Sequence, residues 1–436
     1  MKFYGRKQEI DRLLLLDKQS EQTSVFTLLV GRRRTGKTTL LKQAFADRKI
    51  LYFFVSHKSE TLLCQELQQT VESVFGLHLY GQAGRFADLL RELMIYSRQC
   101  HVTFIVDEFQ RLYDINPAIM SGIQEVWDSH KDMAHIHLIA CGSVYSMMLK
   151  IFRDRKEPLF GRATAEMRLQ PFTTELLKQI LSDYNPCYTS EDLLALYTVS
   201  GGVAKYVELL MDANAATKES IMDAVCRNGS VFLNEGTELL VGEFGKRYQV
   251  YFSIMQLIAS GMTTQSQIDS IIGFNTGRYL STLEDEYTLI ERVRPMFAKP
   301  NAQGIKFALY DNFLTFWFRF IESNRSVVEM GKSELLKEII DKGYDRFNGM
   351  MLERYFRQQY SEKERVTEVG HWWDRSGMNE IDLIAVERLD KRVTVGEVKR
   401  NKSKISLNIL EEKFAALRPH FRGYEVDFVA LSMENM

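Results

Sequence analysis

The residues with the most chemical content lie near the two ends of the chain. "VFTLLVGRRRTGKTTLLKQAF" (25–45) runs from an apolar, β-branched stretch into Gly31, then four residues, then Gly36-Lys37-Thr38 and a helical pattern. That is the GxxxxGK[ST] spacing in its strand–loop–helix setting. Gly31 and Gly36 let the loop wrap closely, so that backbone N–H groups point at phosphate oxygens, and the following helix adds its positive N-terminal end. Lys37 is expected to reach β- and γ-phosphates and the Thr38 hydroxyl to ligate Mg²⁺, with Thr35 and Thr39 as flanking nucleotide-binding positions. Arg32, Arg33 and Arg34 have two readings: solvated side chains on the outer face of the loop, or phosphate contacts. "CHVTFIVDEFQRL" (100–112) reads as a buried parallel strand ending in Asp107-Glu108. Asp107 would orient Mg²⁺, largely through its water shell, and Glu108 would polarise an attacking water.

A second group of acids and bases lies near the other end, in "NEIDLIA" and "GEVKRNK" (396–402). Period-2 alternation puts Glu397 and Lys399 on one face of a strand. Asp382, on the preceding strand of a hairpin, would face Glu397, and the pair could share one or two metal ions, Mg²⁺ or Mn²⁺. Lys399 could help deprotonate water or offset charge on a pentavalent phosphate, and Arg400, Lys402 and Lys404 suit a phosphate backbone. The plainer reading is a charged strand end with no catalysis.

Composition limits the classes. The chain has 436 residues, 45% hydrophobic and 26% charged, enough for two to four domains. Its 56 basic and 57 acidic side chains nearly cancel, so any nucleic-acid contact must come from local patches. Five scattered cysteines without a CxxC pair argue against a disulfide framework or a zinc ribbon. "MKFYGRKQEIDRLL" is too charged for a signal peptide, and no apolar run is long enough to span a bilayer. A soluble, cytoplasmic protein without a membrane partner is expected.

Strand and helix patterns alternate through the first third, with strands at 50–55 and 135–143 and amphipathic helices at 60–75 and 85–99, as in a parallel sheet wrapped by helices. The stretch 173–245 reads as helical. Residues 251–295 have the cadence of a winged helix, with Thr263 as N-cap of its second helix. Its third helix would carry Arg278 and Tyr279 but also Glu284, Asp285 and Glu286, which repel phosphates, so both regulation and DNA reading stay open. "DNFLTFWFRFI" (311–321) reads as core packing. Residues 345–436 follow a helix–strand–strand–strand–helix–strand order.

Taken together, "FYGRKQEI" (3–10), the 31–38 loop, "IVDEFQ", "CGS" and "PLFGR" (158–162) resemble the AAA+/STAND-related P-loop ATPases of the archaeal type, common in archaea and some bacteria. That resemblance implies an α/β fold with a parallel sheet of order 5-1-4-3-2, ATP as ligand, and ATP hydrolysis as activity. Four regions are expected: an ATPase core at 1–172, a helical lid at 173–245, a winged helix with junction helix at 246–325, and a C-terminal domain at 345–436. It further implies Gly5, Arg6 and Glu9 beside the adenine and Ser143 as γ-phosphate sensor. Arg162 would be an arginine reaching a phosphate in cis or, in a homo-oligomer, in trans; the alternative is a loop arginine paired with an acid. The family usually has proline where Ala204 stands, which leaves lid contacts by Lys205 or Tyr206 open. The tail resembles restriction-endonuclease-like (PD-(D/E)xK) domains, which implies Asp382, Glu397 and Glu353 as metal acids and DNA as partner. Overall the chain is expected to be an ATP-driven switch with a nuclease-like tail, or a slow regulator whose tail only binds DNA or protein.

Overall fold

A computed structural model describes residues 1–77, 84–244, 248–298, 305–374 and 376–436. The chain forms two compact units, residues 5–170 and residues 1–4 with 171–436. The expected lid boundary at 245/246 lies outside the described residues.

The first unit is built on β1 (Val25–Val30), β2 (Leu51–Phe54), β3 (Val102–Asp107), β4 (Ile136–Gly142) and β5 (Ala165–Arg168). All pair in parallel, in the order β2-β3-β4-β1-β5, which is the expected 5-1-4-3-2. β1, β3 and β4 are buried at every position, whereas the edge strands β2 and β5 are only partly so. That is why the inner three read as unbroken apolar runs. Side chains leave the sheet alternately: Phe26, Leu28 and Val30 pack with Trp127 and Phe152, while Leu29, Ile105 and Ile139 meet Leu13, Leu40 and Phe45 on the other face.

Near the amino ends of the strands that second face holds a polar knot. Asp17, on the helix Lys7–Ser20, is wholly buried. Its Oδ1 accepts from Thr103 Oγ1 (2.6 Å) and from His137 Nδ1 (3.1 Å), and Oδ2 accepts from Arg48. His137 Nε2 lies 2.8 Å from Thr27 Oγ1, so a neutral ring donates at Nδ1 and accepts at Nε2. Burial alone would push the Asp17 carboxyl up, but hydrogen bonds from His137 and Thr103 outweigh it and hold it below the ordinary value.

The second unit begins with helices Thr174–Tyr184, Ser190–Ser200, Ala204–Asp212, Lys218–Cys226 and Phe232–Phe244. Three further helices, Tyr248–Ser260, Gln265–Ile272 and Gly277–Ser281, lead through a π turn into the antiparallel hairpin of β6 (Ile290–Val293) and β7 (Lys306–Leu309). The middle helix is capped by Thr264, in a capping box with Gln267, and not by Thr263 as expected. Thr263 uses its carbonyl to accept from Phe307 N–H and so ties the helix to β7. Phe313, Phe316, Trp317 and Phe318 are fully buried, as the 311–321 pattern predicts.

The long helix Ser333–Ser361 precedes a four-stranded sheet of β8 (Glu368–Trp373), β9 (Glu380–Glu387), β10 (Arg392–Val398) and β11 (Glu425–Leu431), in the order β11-β10-β9-β8. Neighbours are antiparallel except β10 and β11, whose parallel pairing needs the crossover carrying helix Leu407–Phe414. Among the described residues no helix is long and apolar enough to cross a membrane.

Asp17→Ala would leave His137, Thr103 and Arg48 without their common acceptor. It is expected to cost about 3–5 kcal/mol and to bring an earlier melting transition in a calorimetric scan. An unchanged melting profile would show that the knot contributes nothing.

Candidate functional site

The carboxyl edge of the five-stranded sheet collects most of the expected phosphate-site residues. Gly31 follows β1 where a Cβ would stand 2.9 Å from the Leu169 carbonyl, so only glycine passes between loop and strand end. Arg34 and Gly36 both take the left-handed conformation (φ 72° and 91°), which turns the loop into the helix Lys37–Ala44. Thr35 Oγ1 donates to the Arg32 carbonyl at 2.8 Å and pins the curve. Lys37 is 7% exposed and lies inside it, its Nζ donating to the carbonyls of Gly31 (2.7 Å) and Arg32 (2.9 Å). Arg33 and Thr39 are exposed, and Arg32 and Arg34 are half-buried.

Asp107 ends β3 almost fully buried. Its Oδ2 accepts from Thr38 Oγ1 at 2.9 Å and Tyr52 OH at 2.6 Å, and Oδ1 accepts the Glu108 N–H at 2.9 Å. Thr38 and Asp107 thus present a hydroxyl and a carboxylate side by side. Hard oxygen donors of this kind fit Mg²⁺, which keeps most of its shell as water and phosphate. Burial, then the bond to Asp107, raises the Tyr52 pKa and keeps the phenol a donor. Glu108 takes a left-handed φ of 57°. Both its oxygens lie 2.9 Å from Ser143 Oγ, and Oε2 also accepts from Gln110 Nε2.

One expected group lies elsewhere. Arg162 pairs with Asp128 at 3.0 Å and donates to the Phe160 carbonyl at 2.9 Å. It precedes β5 at the amino edge, where Thr164 N–H bonds Phe26 at the start of β1. At about 3.3 Å per strand residue, the phosphate loop is farther off than an arginine can reach, so the cis placement is corrected. Gly5 and Arg6 are both left-handed (φ 62° and 65°), and Arg6 bonds Glu9 at 3.0 Å and the Gln170 carbonyl at 2.7 Å. Gln170 follows Leu169, whose carbonyl faces Gly31, so this turn stands beside the phosphate loop.

In the second unit, β9 and β10 bring Asp382, Glu397 and Lys399 together. Lys399 Nζ stands 3.1 Å from Asp382 Oδ2 and 3.0 Å from Glu397 Oε1. Lys413, on the crossover helix, reaches Glu397 Oε2 at 3.1 Å, and Val398 N–H donates to Asp382 Oδ2 at 2.8 Å. Burial works against the Lys399 charge, but Asp382 and Glu397 raise its pKa above the ordinary value. Arg357 donates to Glu353 Oε2 at 3.4 Å and to the Asp382 carbonyl at 3.0 Å. Among the described residues no group of three or more His, Cys, Asp or Glu side chains could hold a metal ion. The expected metal acids Asp382, Glu397 and Glu353 are instead met by Lys399, Lys413 and Arg357. Arg400 is taken by Glu191 and does not stand free for a phosphate backbone. Tyr52 and Lys413 had no signal in the sequence beyond their types, since each meets its partner through tertiary structure, whereas Gln110 meets Glu108 two residues away.

Residues 3–210 match the model of an ATPase domain predominantly from Archaea, and residues 317–413 match a family of archaeal and bacterial proteins of unknown function. The chain carries an archaeal-type ATPase domain followed by a C-terminal domain of that second family. An uncharacterized protein of Methanocaldococcus jannaschii is 26% identical over 406 residues, 91% of this chain and 87% of the relative. Among solved structures, a Walker-type ATPase of Pyrococcus abyssi is similar in fold (TM-score 0.54, 20% identity, 73% of this chain and 96% of that one). So is the ORC2 protein of Aeropyrum pernix, solved with ADPNP and ADP (TM-score 0.51, 15% identity, 76% and 95%).

Glu353 yields a pH-dependent prediction. Burial first, and Asp382 second, raise its pKa from 4.5 to about 7. The folded state therefore favours the neutral form, a contribution complete below the unfolded value and lost as pH rises through about 7. Its side chain is one-third exposed (33%), which leaves an effect on the order of 1 kcal/mol. Glu353→Gln is expected to raise the melting temperature at pH 8 and hardly move it at pH 5. Equal shifts at both pH values would contradict the assignment.

Proposed function

We propose that the chain is a Mg²⁺-dependent ATP-hydrolysing switch whose nucleotide state controls its C-terminal half. The single observation that carries this is the meeting of Lys37, Thr38, Asp107 and Glu108 at one sheet edge. Lys37 would exchange its two carbonyl bonds for β- and γ-phosphate oxygens. Thr38 and Asp107 would hold the cation, which, when bound, offsets charge on the transferred phosphoryl group. Glu108 would take a proton from the attacking water, and Ser143, already bonded to it, would report the presence of a γ-phosphate. The helices at 173–245 would act as lid. The three-helix-plus-hairpin stretch within 246–325 would serve as a winged helix used for regulation. Glu284, in the π turn after its third helix, is paired with Arg292 at 2.7 Å, and Asp285 and Glu286 lie beside it, a poor surface for DNA phosphates.

For the tail the proposal is a nuclease-like domain that binds nucleic acid and does not cut it. The order of elements and the Asp382, Glu397, Lys399 constellation support the likeness. Two ammonium groups on two carboxylates argue against metal-dependent cleavage there. The ATPase domain could work in a homo-oligomer, where Arg162 would leave Asp128 for a neighbour's phosphate.

Lys37→Ala is expected to lose Mg·ATP binding by calorimetry, whereas Glu108→Gln should bind ATP and turn it over at least about 100-fold more slowly. Normal turnover in Glu108→Gln would end the proposed mechanism. On plasmid and linear DNA with Mn²⁺, wild type should shift DNA in a gel without nicking it. Cutting that disappears in Glu397→Ala would restore the catalytic reading of the tail.

A further inference from the structure

We infer that Gln110 is a positioning residue for ATP hydrolysis, fixing the orientation of the Glu108 carboxylate; this rests on the proposed role of Glu108. Gln110 opens the short helix Gln110–Ile115 beyond the end of β3 and is 2% exposed. Its Nε2 donates to Glu108 Oε2. The opposite amide orientation would set two acceptor oxygens face to face, so the carboxylate dictates which atom is the nitrogen.

Glu108 is thereby gripped from two elements: Ser143, just past β4, at 2.9 Å from both oxygens, and Gln110 from the helix after β3. Oε2 receives both donors. Among the described residues Oε1 shares only the Ser143 hydroxyl, so it keeps a lone pair for the proton of a water. The left-handed backbone of Glu108 is unfavourable for a residue with a Cβ, and such strain persists only where surroundings over-determine it.

The other end of the amide separates positioning from packing. Among the described residues Gln110 Oε1 has no hydrogen-bond partner though buried, which is costly. A methionine or leucine would fill the same space without an orphaned oxygen, so packing alone does not select glutamine. The backbone also makes room for it: a Cβ on Gly142, the last residue of β4, would lie 2.7 Å from Gln110 Oε1 and 2.4 Å from Met148 Cγ. What glutamine adds at this position is the donor to Glu108.

The test uses the full chain and measures steady-state ATP turnover, binding of a non-hydrolysable ATP analogue, and thermal unfolding. Gln110→Met keeps length and removes the donor. It is expected to lower kcat about 10- to 100-fold, with KM and analogue affinity within about twofold of wild type and a melting temperature no lower than wild type. Gln110→Glu keeps the shape but replaces the donor by a second carboxylate, and should lose kcat at least as far. Full kcat in Gln110→Met overturns the inference, as does a kcat loss matched by weaker analogue binding or earlier melting. Glu108→Gln is the control. Hydrolysis persisting in that variant would remove the role of Glu108 itself, a failure distinct from that of Gln110.

Discussion

Asp107 is the point where the nucleotide edge of the first unit is tied together. Its carboxylate lies 5% exposed at the end of β3 and accepts from Thr38, Tyr52 and the Glu108 N–H. An ionised group that deep persists only when donors saturate it. Those donors come from the helix after β1, from β2, and from the next residue of its own chain. They converge only because the order β2-β3-β4-β1-β5 sets β2 directly beside β3 and brings the loop after β1 across the same edge. The sheet topology and the candidate metal position are therefore one constraint.

The two acidic sites of the molecule meet the same desolvation problem in different ways. At Asp107 the donors are two hydroxyls and an amide, all neutral. Glu108 likewise receives a hydroxyl and an amide. Lys37, the nearby cation, donates to two carbonyls of its own loop. In the tail, Asp382 and Glu397 are met by Lys399 and Lys413, two ammonium groups for two carboxylates. A divalent cation there would compete with Lys399 and Lys413 for the two carboxylates. A matching set of residue types does not give matching chemistry when the compensation differs.

What could be read from the sequence follows the range of the interactions. The phosphate loop, the Asp107-Glu108 strand end and the element order of the tail are local patterns, and local geometry dictates them. Strand order came only from resemblance, because spacing between strands does not say which are neighbours. Arg162 is instructive: "PLFGR" precedes β5, so once that strand is placed the arginine must lie at the amino edge, away from the phosphate loop. The N-cap moved from Thr263 to Thr264 because two adjacent threonines are equivalent as caps until the Thr263 carbonyl is claimed by Phe307. Lys413 and Tyr52 could not be found at all, since a lysine in an amphipathic helix and a tyrosine in a strand are ordinary until a crossover or a neighbouring strand turns them toward an acid.

The departure at Ala204 shows the same principle within the helical region. A proline at the first position of a helix pre-sets φ and gives up an N–H that would have no partner there. Here alanine holds that position, and the helix Ala204–Asp212 still starts on it. The entry is fixed by other means. Gly201 and Gly202 are both left-handed, and Gly202 packs so closely that a Cβ would stand 2.5 Å from the Phe172 carbonyl, while its own carbonyl accepts from Phe172 N–H at 2.7 Å. One turn in, Tyr206 is buried between Phe232 and Phe313, and its hydroxyl donates to the buried Glu235 at 2.9 Å. Lys205 pairs with Glu208 at 2.8 Å. The glycine pair and the tyrosine anchor thus set the direction a proline would otherwise impose, and Tyr206 is committed to the helical core.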